Sequence, residues 1–197
     1  SDTAIVAKLL GCKVNTCVIT ARVGETAKIR LDMPFVNESV GSSTSAIVID
    51  SFDPMIFQQG TFELPSGSTI ALVQNAEITI NNNNEILWGL GSRFGQQAVS
   101  KQREYTVRLS ATLQQQTDIL NKFWGGSSGP VASPAETATL YLTFNNGLAT
   151  NVSGYRYVQF AFTGIQFDED SLPQTPEDSI LEDATAFAKA LTVTTIN

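Results

Sequence analysis

Few side chains in this chain are equipped for catalysis. Its 197 residues include no histidine, which removes the commonest general base, the commonest metal ligand and the Ser/His/Asp triad together. The only two cysteines are Cys12 and Cys17. On a single strand they would face opposite ways and lie ~16 Å apart, beyond the reach of a disulfide. A turn at Val14-Asn15 could bring them together, but a reduced, partly buried pair is the expectation. Zinc would need two further ligands, and none is spaced for it. The acidic groups Asp168, Glu169, Asp170, Glu177 and Asp178 could hold Ca²⁺. They lack EF-hand spacing, and a solvated loop is the better reading. No pair of carboxylates is singled out for glycoside hydrolysis. Gly89-Leu90-Gly91-Ser92-Arg93 is Gly-rich like a phosphate loop, yet it lacks the Gly-Lys-Ser/Thr ending and the strand-to-helix setting. The expectation is a protein that is not an enzyme and carries no cofactor and no metal.

The elements that would position these groups are mostly strands. From Val73 to Ile80, Ala76, Ile78 and Ile80 share one parity, with Glu77 and Thr79 on the other. From Glu104 to Leu113, Tyr105, Val107, Leu109, Ala111 and Leu113 alternate with Glu104, Thr106, Arg108, Ser110 and Thr112. Period-two alternation of this kind marks a strand with one apolar and one polar face. Between the two lie Asn81 to Asn84, a short apolar patch ending in Trp88, and a Gly-rich segment. Asn and Gly tolerate positive φ, so this reads as a long, shaped connection. The Asn run itself reads as a strand end and turn rather than a low-complexity tract.

Earlier in the chain, Ala4 to Leu10 and Val14 to Ala21 read as short strands, and AKIRL (Ala27 to Leu31) closes a hairpin across Gly24-Glu25. Residues 34–60 hold Pro34, Pro54 and a polar patch, Asn37, Glu38, Ser39, Val40, Gly41, Ser42, Ser43, Thr44 and Ser45. Long insertions of this kind are usually functional or disordered. Phe35, Val36, Phe52, Met55, Ile56 and Phe57 argue against disorder, and the segment reads either as an extended arm that buries itself on something else or as a lid over the chain's own core. Thr117-Asp118 is a plausible N-cap, followed by Ile119, Leu120, Phe123 and Trp124 at helical spacing and a Gly125-Gly126 stop. Thr139 to Phe144 is a strand, and Asn145-Asn146-Gly147 carries a hairpin-turn signal. Tyr155 to Phe167 is an aromatic strand with a bulge expected at Gly164. Residues 168–183 read as an acidic loop, Glu182 to Ala190 as helix by propensity, and Leu191 to Ile196 as a closing strand. The fold class expected is mainly β: a β-sandwich or barrel of antiparallel strands with one short helix and a long extended arm, in a single domain over 1–197.

Composition narrows the partners. Charged residues are only 16%, and the Ser, Thr, Asn and Gln in their place desolvate more cheaply, which suits surface packed against other protein. A net charge of −7 without a Lys/Arg cluster argues against a protein that grips nucleic acid. The start, Ser1-Asp2, lacks the basic region of a signal peptide, and no run approaches the ~20 apolar residues of a membrane helix. The expectation is a protein made in the cytoplasm, with no membrane insertion.

In order and spacing, the chain resembles the tail tube proteins of tailed phages and archaeal tailed viruses. The resemblance rests on Gly11-Cys12-Lys13-Val14 entering a strand and on Val23-Gly24-Glu25-Thr26 before AKIRL. It continues through the strand ending in an Asn turn (Ala76 to Asn83), Leu90-Gly91-Ser92, Arg103-Glu104-Tyr105-Thr106-Val107 leading a long alternating strand, and a late aromatic strand. It covers nearly the whole chain, except that the Pro-containing arm at 34–60 has no piecewise match. The resemblance implies a virion structural protein that self-assembles into homohexameric rings stacked into a tube, the conduit for genome ejection. An arm reaches the next ring, for which residues Asn37 to Ser45 are the candidates. The further partners implied are the tail tip or baseplate, a terminator and possibly a sheath, with DNA passing through without specific binding.

An acidic, Lys/Arg-poor subunit would repel DNA in the lumen, and edge strands become assembly contacts. The polar parities Glu77, Thr79, Glu104, Thr106, Arg108, Ser110 and Thr112 are the candidate lumen face, with Arg108 a lone positive group there. The rivals are the inner tube of a contractile injection system and a carbohydrate-binding or adhesin β-sandwich. The adhesin would place aromatics in an exposed groove, whereas Trp88 and Trp124 sit in apolar surroundings that suggest burial.

Overall fold

The computed structural model describes residues 6–41, 55–56, 59–64, 73–112, 138–149, 155–171 and 181–196. These residues form thirteen strands: β1 (Val6–Leu10), β2 (Thr16–Arg22), β3 (Lys28–Asp32), β4 (Asn37–Gly41), β5 (Gly60–Glu63), β6 (Val73–Asn81), β7 (Glu85–Trp88), β8 (Gly95–Val99), β9 (Glu104–Thr112), β10 (Ala138–Ala149), β11 (Tyr155–Ser171), β12 (Leu181–Ala188) and β13 (Ala190–Ile196). Nine belong to one sheet in the order β3-β2-β6-β9-β12-β11-β10-β5, with β13 also paired to β11. The sheet is antiparallel and curls into half a barrel. The remaining strands form two separate two-stranded ribbons, β1–β4 and β7–β8.

The alternation predicted for β6 and β9 is the alternation found. Ile19, Ile78, Val107 and Ala186 stand side by side across four strands, and Ala21, Ala76, Leu109 and Ala184 form the adjacent row. All eight are buried. Alanines on this wall leave room for large side chains in the same core cluster: Phe62, Phe144, Phe160, Phe162, Leu140 and Leu142. Each fully buried large side chain contributes about 1.5–3 kcal/mol of transfer free energy. A register shift between Val73 and Asn75 adds one residue, so Val73 and Ala76 are both buried despite their opposite parities.

The bulge expected at Gly164 is present. Its φ is +65°, and the buried parity switches there from Phe160 and Phe162 to Ile165. A Cβ at Gly164 would stand 3.1 Å from the Lys189 side chain. Lys189 is itself the step between β12 and β13, and its amide donates to the Thr163 carbonyl at 3.0 Å.

Three expectations are corrected. Residues 182–190 are strand, not helix. β12 is hydrogen-bonded to β9 on one side and β11 on the other, so tertiary pairing overrides a weak helical preference. Residues 168–171 and 181–183 likewise lie in strands rather than in an acidic loop. Asn145-Asn146-Gly147 does not end its strand either. Asn145 Oδ1 accepts from the Gly147 amide at 2.9 Å and Asn146 Oδ1 from the Leu148 amide at 3.1 Å, making a local turn inside an irregular β10. The helix expected at 117–126 and the arm residues 42–54 lie outside the described residues.

Candidate assembly surface

All seven residues predicted to share a polar face do share one. Cross-strand partners in an antiparallel sheet project on the same side. Glu77 stands opposite Arg108, Thr79 opposite Thr106, Glu104 opposite Asn81, and Ser110 opposite Asn75. Thr112 accepts from Gln74 Nε2 at 2.9 Å. Arg108 is not a lone cation on this face. Lys28, Thr20, Glu77, Arg108 and Thr185 make one row, Arg30, Val18, Thr79, Thr106 and Phe187 the next, and Arg22, Asn75, Ser110 and Asp183 another. Arg108 Nη1 lies 3.8 Å from Glu77 Oε1. The sequence showed these charges but not their shared face, because they come together only through pairing between strands distant in the chain.

The edge of this sheet is unfinished. In β3, Ile29 and Leu31 stand opposite Ile19 and Cys17, on the core side of the sheet. Ile19 is buried, yet Ile29 is 66% and Leu31 47% exposed. Nothing among the described residues covers them. At the start of β3, the Ala27 amide donates to the Met55 carbonyl at 2.9 Å, and Thr26 bridges to Ile56. From Lys28 onward the outer edge has no strand partner among the described residues.

The two ribbons rise from one corner, held by an amide lattice. The side chains of Asn82 and Asn84 both donate to the Val14 carbonyl at 2.8 Å, and Asn15 Oδ1 accepts from the Asn84 amide at 2.8 Å. Asn83 takes φ +48°, and Asn81 Oδ1 accepts from its amide at 3.1 Å. Arg103 Nε donates to Asn82 Oδ1 at 2.6 Å. The Asn run is thus a structural clamp, and the "connection" after it is the hairpin ribbon β7–β8. The foot of the β1–β4 ribbon lies along β8, where the Gly95 amide donates to the Val36 carbonyl at 3.2 Å and Lys13 Nζ to the Ala98 carbonyl at 2.5 Å. A Cβ at Gly95 would meet Ile86 Cγ2 at 2.5 Å, so only glycine fits there.

Of the nine residues proposed as an arm, Asn37 to Gly41 form β4, paired with β1 along its full length. Ser42 to Ser45 lie outside the described residues. Val40 and Leu9 are exposed on this ribbon, as are Leu87 and Leu90 on the other. Trp88 is 68% exposed, against the expectation of burial. Its apolar neighbours in sequence are also on the ribbon surface, so they give it no cover. Trp88 flanks a depression of about 840 Å³ that is also lined by Asn15, Asp32, Asn83, Asn84 and Lys101. Lys101 Nζ pairs with Glu85 Oε2 at 2.6 Å on its rim.

Cys12 and Cys17 are both free thiols; Cys12 is exposed, and partial burial pushes the Cys17 thiol above its ordinary pKa. Among the described residues no three His, Cys, Asp or Glu side chains gather as metal ligands. No helix among them is long and apolar enough to cross a membrane.

The open edge of β3 and the exposed ribbons suit contact between protein copies. A comparison with curated proteins finds no match for the chain. A family model described as phage tail tube protein matches residues 1–180. That match covers most of the chain and accords with the mainly β half-barrel, its open edge and its two uncovered ribbons: the chain belongs to the phage tail tube protein family.

Proposed function

We propose that this tail tube subunit forms hexameric rings, that the rings stack into a tube, and that the tube is the conduit through which the viral genome leaves the virion. The observation that carries the reading is the edge strand β3, whose core-side Ile29 and Leu31 are left exposed. Apolar side chains on the inner face of an unpaired edge are a liability in a monomer and a contact in a ring. The ribbons support stacking. A two-stranded ribbon on its own is marginal in water, and β1–β4 is exposed along nearly its whole length among the described residues, a surface that another ring would cover.

In this reading the face carrying Glu77, Thr79, Glu104, Thr106, Arg108, Ser110 and Thr112 lines the bore. Its cations Arg22, Lys28, Arg30 and Arg108 are matched by Asp32, Glu77, Glu104 and Asp183. Weak hold on DNA would then come from cations balanced in number by carboxylates on that face, backed by the net charge of −7, rather than from a surplus of carboxylates there. The remaining partners are tail tip or baseplate proteins, a terminator and, in a contractile particle, a sheath. The subunit is made in the host cytoplasm and resides in the virion tail.

Negative-stain electron microscopy of the concentrated protein tests this. Rings or hollow tubes of uniform bore are expected. Deleting residues 37–45 should leave rings and impair stacking, because it removes β4 and strips β1 of its partner. A protein that stays monomeric and does not extend on a tail-tip seed overturns the reading. Exposed Trp88 beside an Asn-lined depression favours a second role, saccharide binding, since an aromatic face and clustered amides suit sugar rings and hydroxyls. Trp88 fluorescence titrated with oligosaccharides decides it, with no change on saturation counting against it.

A further inference from the structure

The ring reading leaves open which edge of one copy receives β3 of the next. From β3, the sheet runs through β2, β6, β9 and β12 to the second half of β11, and every neighbouring pair is antiparallel. β12 occupies one side of residues 166–171 of β11, whereas β10 pairs with β11 only from Ile165 back to Tyr155. Among the described residues the other side of 166–171 has no partner. Among the described residues the polar-faced sheet therefore ends in two open edges, β3 and the second half of β11.

Three features make these edges complementary. The first is direction. The path from β3 to β11 contains an even number of strands, so its two edges run in opposite senses. A copy related by rotation about an axis along the strands brings its β3 antiparallel to β11, and the alternation continues around the ring. The second is length. β3 has five residues and faces the six of 166–171. The third is charge. β3 presents Lys28 and Arg30 on its polar face, and the other edge carries Asp168 and, in register with Thr185 of the polar-face row, Glu169, whereas Asp170 is in register with core-side Ala184. Asp168 is exposed and sits at the register shift between Phe167 and Glu169. Neither Arg30 nor Asp168 has an ion-pair partner among the described residues.

We propose that β3 of one copy adds to the 166–171 edge of β11 in the next copy, with Lys28 and Arg30 set against the acidic end of that edge at Asp168. The junction is heterologous, as a closed ring requires. It buries Ile29 and Leu31 in a second molecule, and its charges select this pairing over β3 with β3, where like charges would meet.

The proposal rests on the ring reading, and charge reversal separates the two. Lys28→Glu with Arg30→Glu makes both edges negative on the polar face, and Asp168→Lys with Glu169→Lys makes both positive there. Circular dichroism melting verifies that each variant is folded, and electron microscopy and sedimentation read assembly. Neither variant alone should form rings. An equimolar mixture should form them, because alternating copies restore attraction at every junction of a six-membered ring. Raising salt from about 0.05 M to 0.5 M should weaken ring formation by the wild type, since exposed charges are screened within about 4–14 Å over that range. If either variant alone forms rings as the wild type does, or if the mixture fails while both variants are folded, this junction is wrong and the tube reading stands. If the wild type forms neither rings nor tubes, both fall.

Discussion

The half-barrel and the two ribbons are built from similar residues and treat them in opposite ways. In the half-barrel, Ile78, Val107, Leu140, Leu142 and Phe162 are almost wholly removed from solvent. On the ribbons, Leu9, Val40, Trp88 and Leu90 are left in it. The half-barrel curls on itself, so its inner face is its own partner. A ribbon has two strands and no layer to pack on. The subunit's stability thus resides in the first region, and its capacity to join other copies in the second and along β3.

The largest effect should separate the regions outright. Phe162→Ala removes a fully buried ring from the core cluster, leaving a cavity, and should cost about 3–5 kcal/mol by denaturant unfolding. Trp88→Ala removes a larger side chain and should change monomer stability by less than about 0.5 kcal/mol, while reducing tube yield. Equal losses from the two substitutions would mean that the ribbon is packed in solution and would dissolve the distinction.

Backbone sites come next. Gly164→Ala places a Cβ at φ +65° against Lys189, and should cost about 1–2 kcal/mol through strain at the switch between the two halves of β11. Gly95→Ala puts its Cβ into Ile86 inside the β7–β8 ribbon. Because that ribbon contributes little to the core, the unfolding midpoint should move less than for Gly164→Ala, and the defect should show in tube assembly. A midpoint shift as large as that of Gly164→Ala would place the ribbon within the cooperative unit.

Parity made the half-barrel legible and left the ribbons obscure. β6, β9 and β10 were readable because one face of each strand is buried and the other is not. β12 was misread because Ala184, Phe187, Ala188 and Leu191 also fit a helical spacing, and alanines carry little strand preference of their own. What decides β12 is two partners on either side, a tertiary fact. β7–β8 buries only Gly95 and Ala98, three residues apart, and so shows no period-two alternation to detect. The same cause hid the exposure of Trp88, since an apolar run signals burial only where something covers it. The polar face was predicted residue by residue. Its charge balance was not, because Lys28 and Arg30 reach it only through β2.

Cysteine reactivity offers a smaller contrast. Burial raises the Cys17 pKa, so its thiol stays protonated at neutral pH. Cys12 is exposed at the foot of the β1–β4 ribbon. A thiol reagent at neutral pH should label Cys12 first and Cys17 only slowly in the native monomer, with both equal after denaturation. Equal native rates would show β2 opening readily.

The smallest stability effect belongs to Glu25 and Lys28, paired at 2.6 Å in the turn before β3. The Lys28 ammonium holds the Glu25 carboxyl below its ordinary pKa. A lowered carboxylate pKa stabilises the fold above the unfolded-state value, and that contribution fades as pH falls through the folded one. Both side chains are well exposed, so solvent screens the pair, and Glu25→Gln should leave the melting point unchanged at pH 7 and remove no acid transition. Assembly should respond in the other direction. Glu25 competes for the cation that the ring junction needs, so Glu25→Gln should lower the concentration at which rings form. A substitution silent in the monomer and favourable in the ring would place Lys28 with the assembly surface. A higher ring concentration would instead make the Glu25–Lys28 pair a support for the geometry of β3.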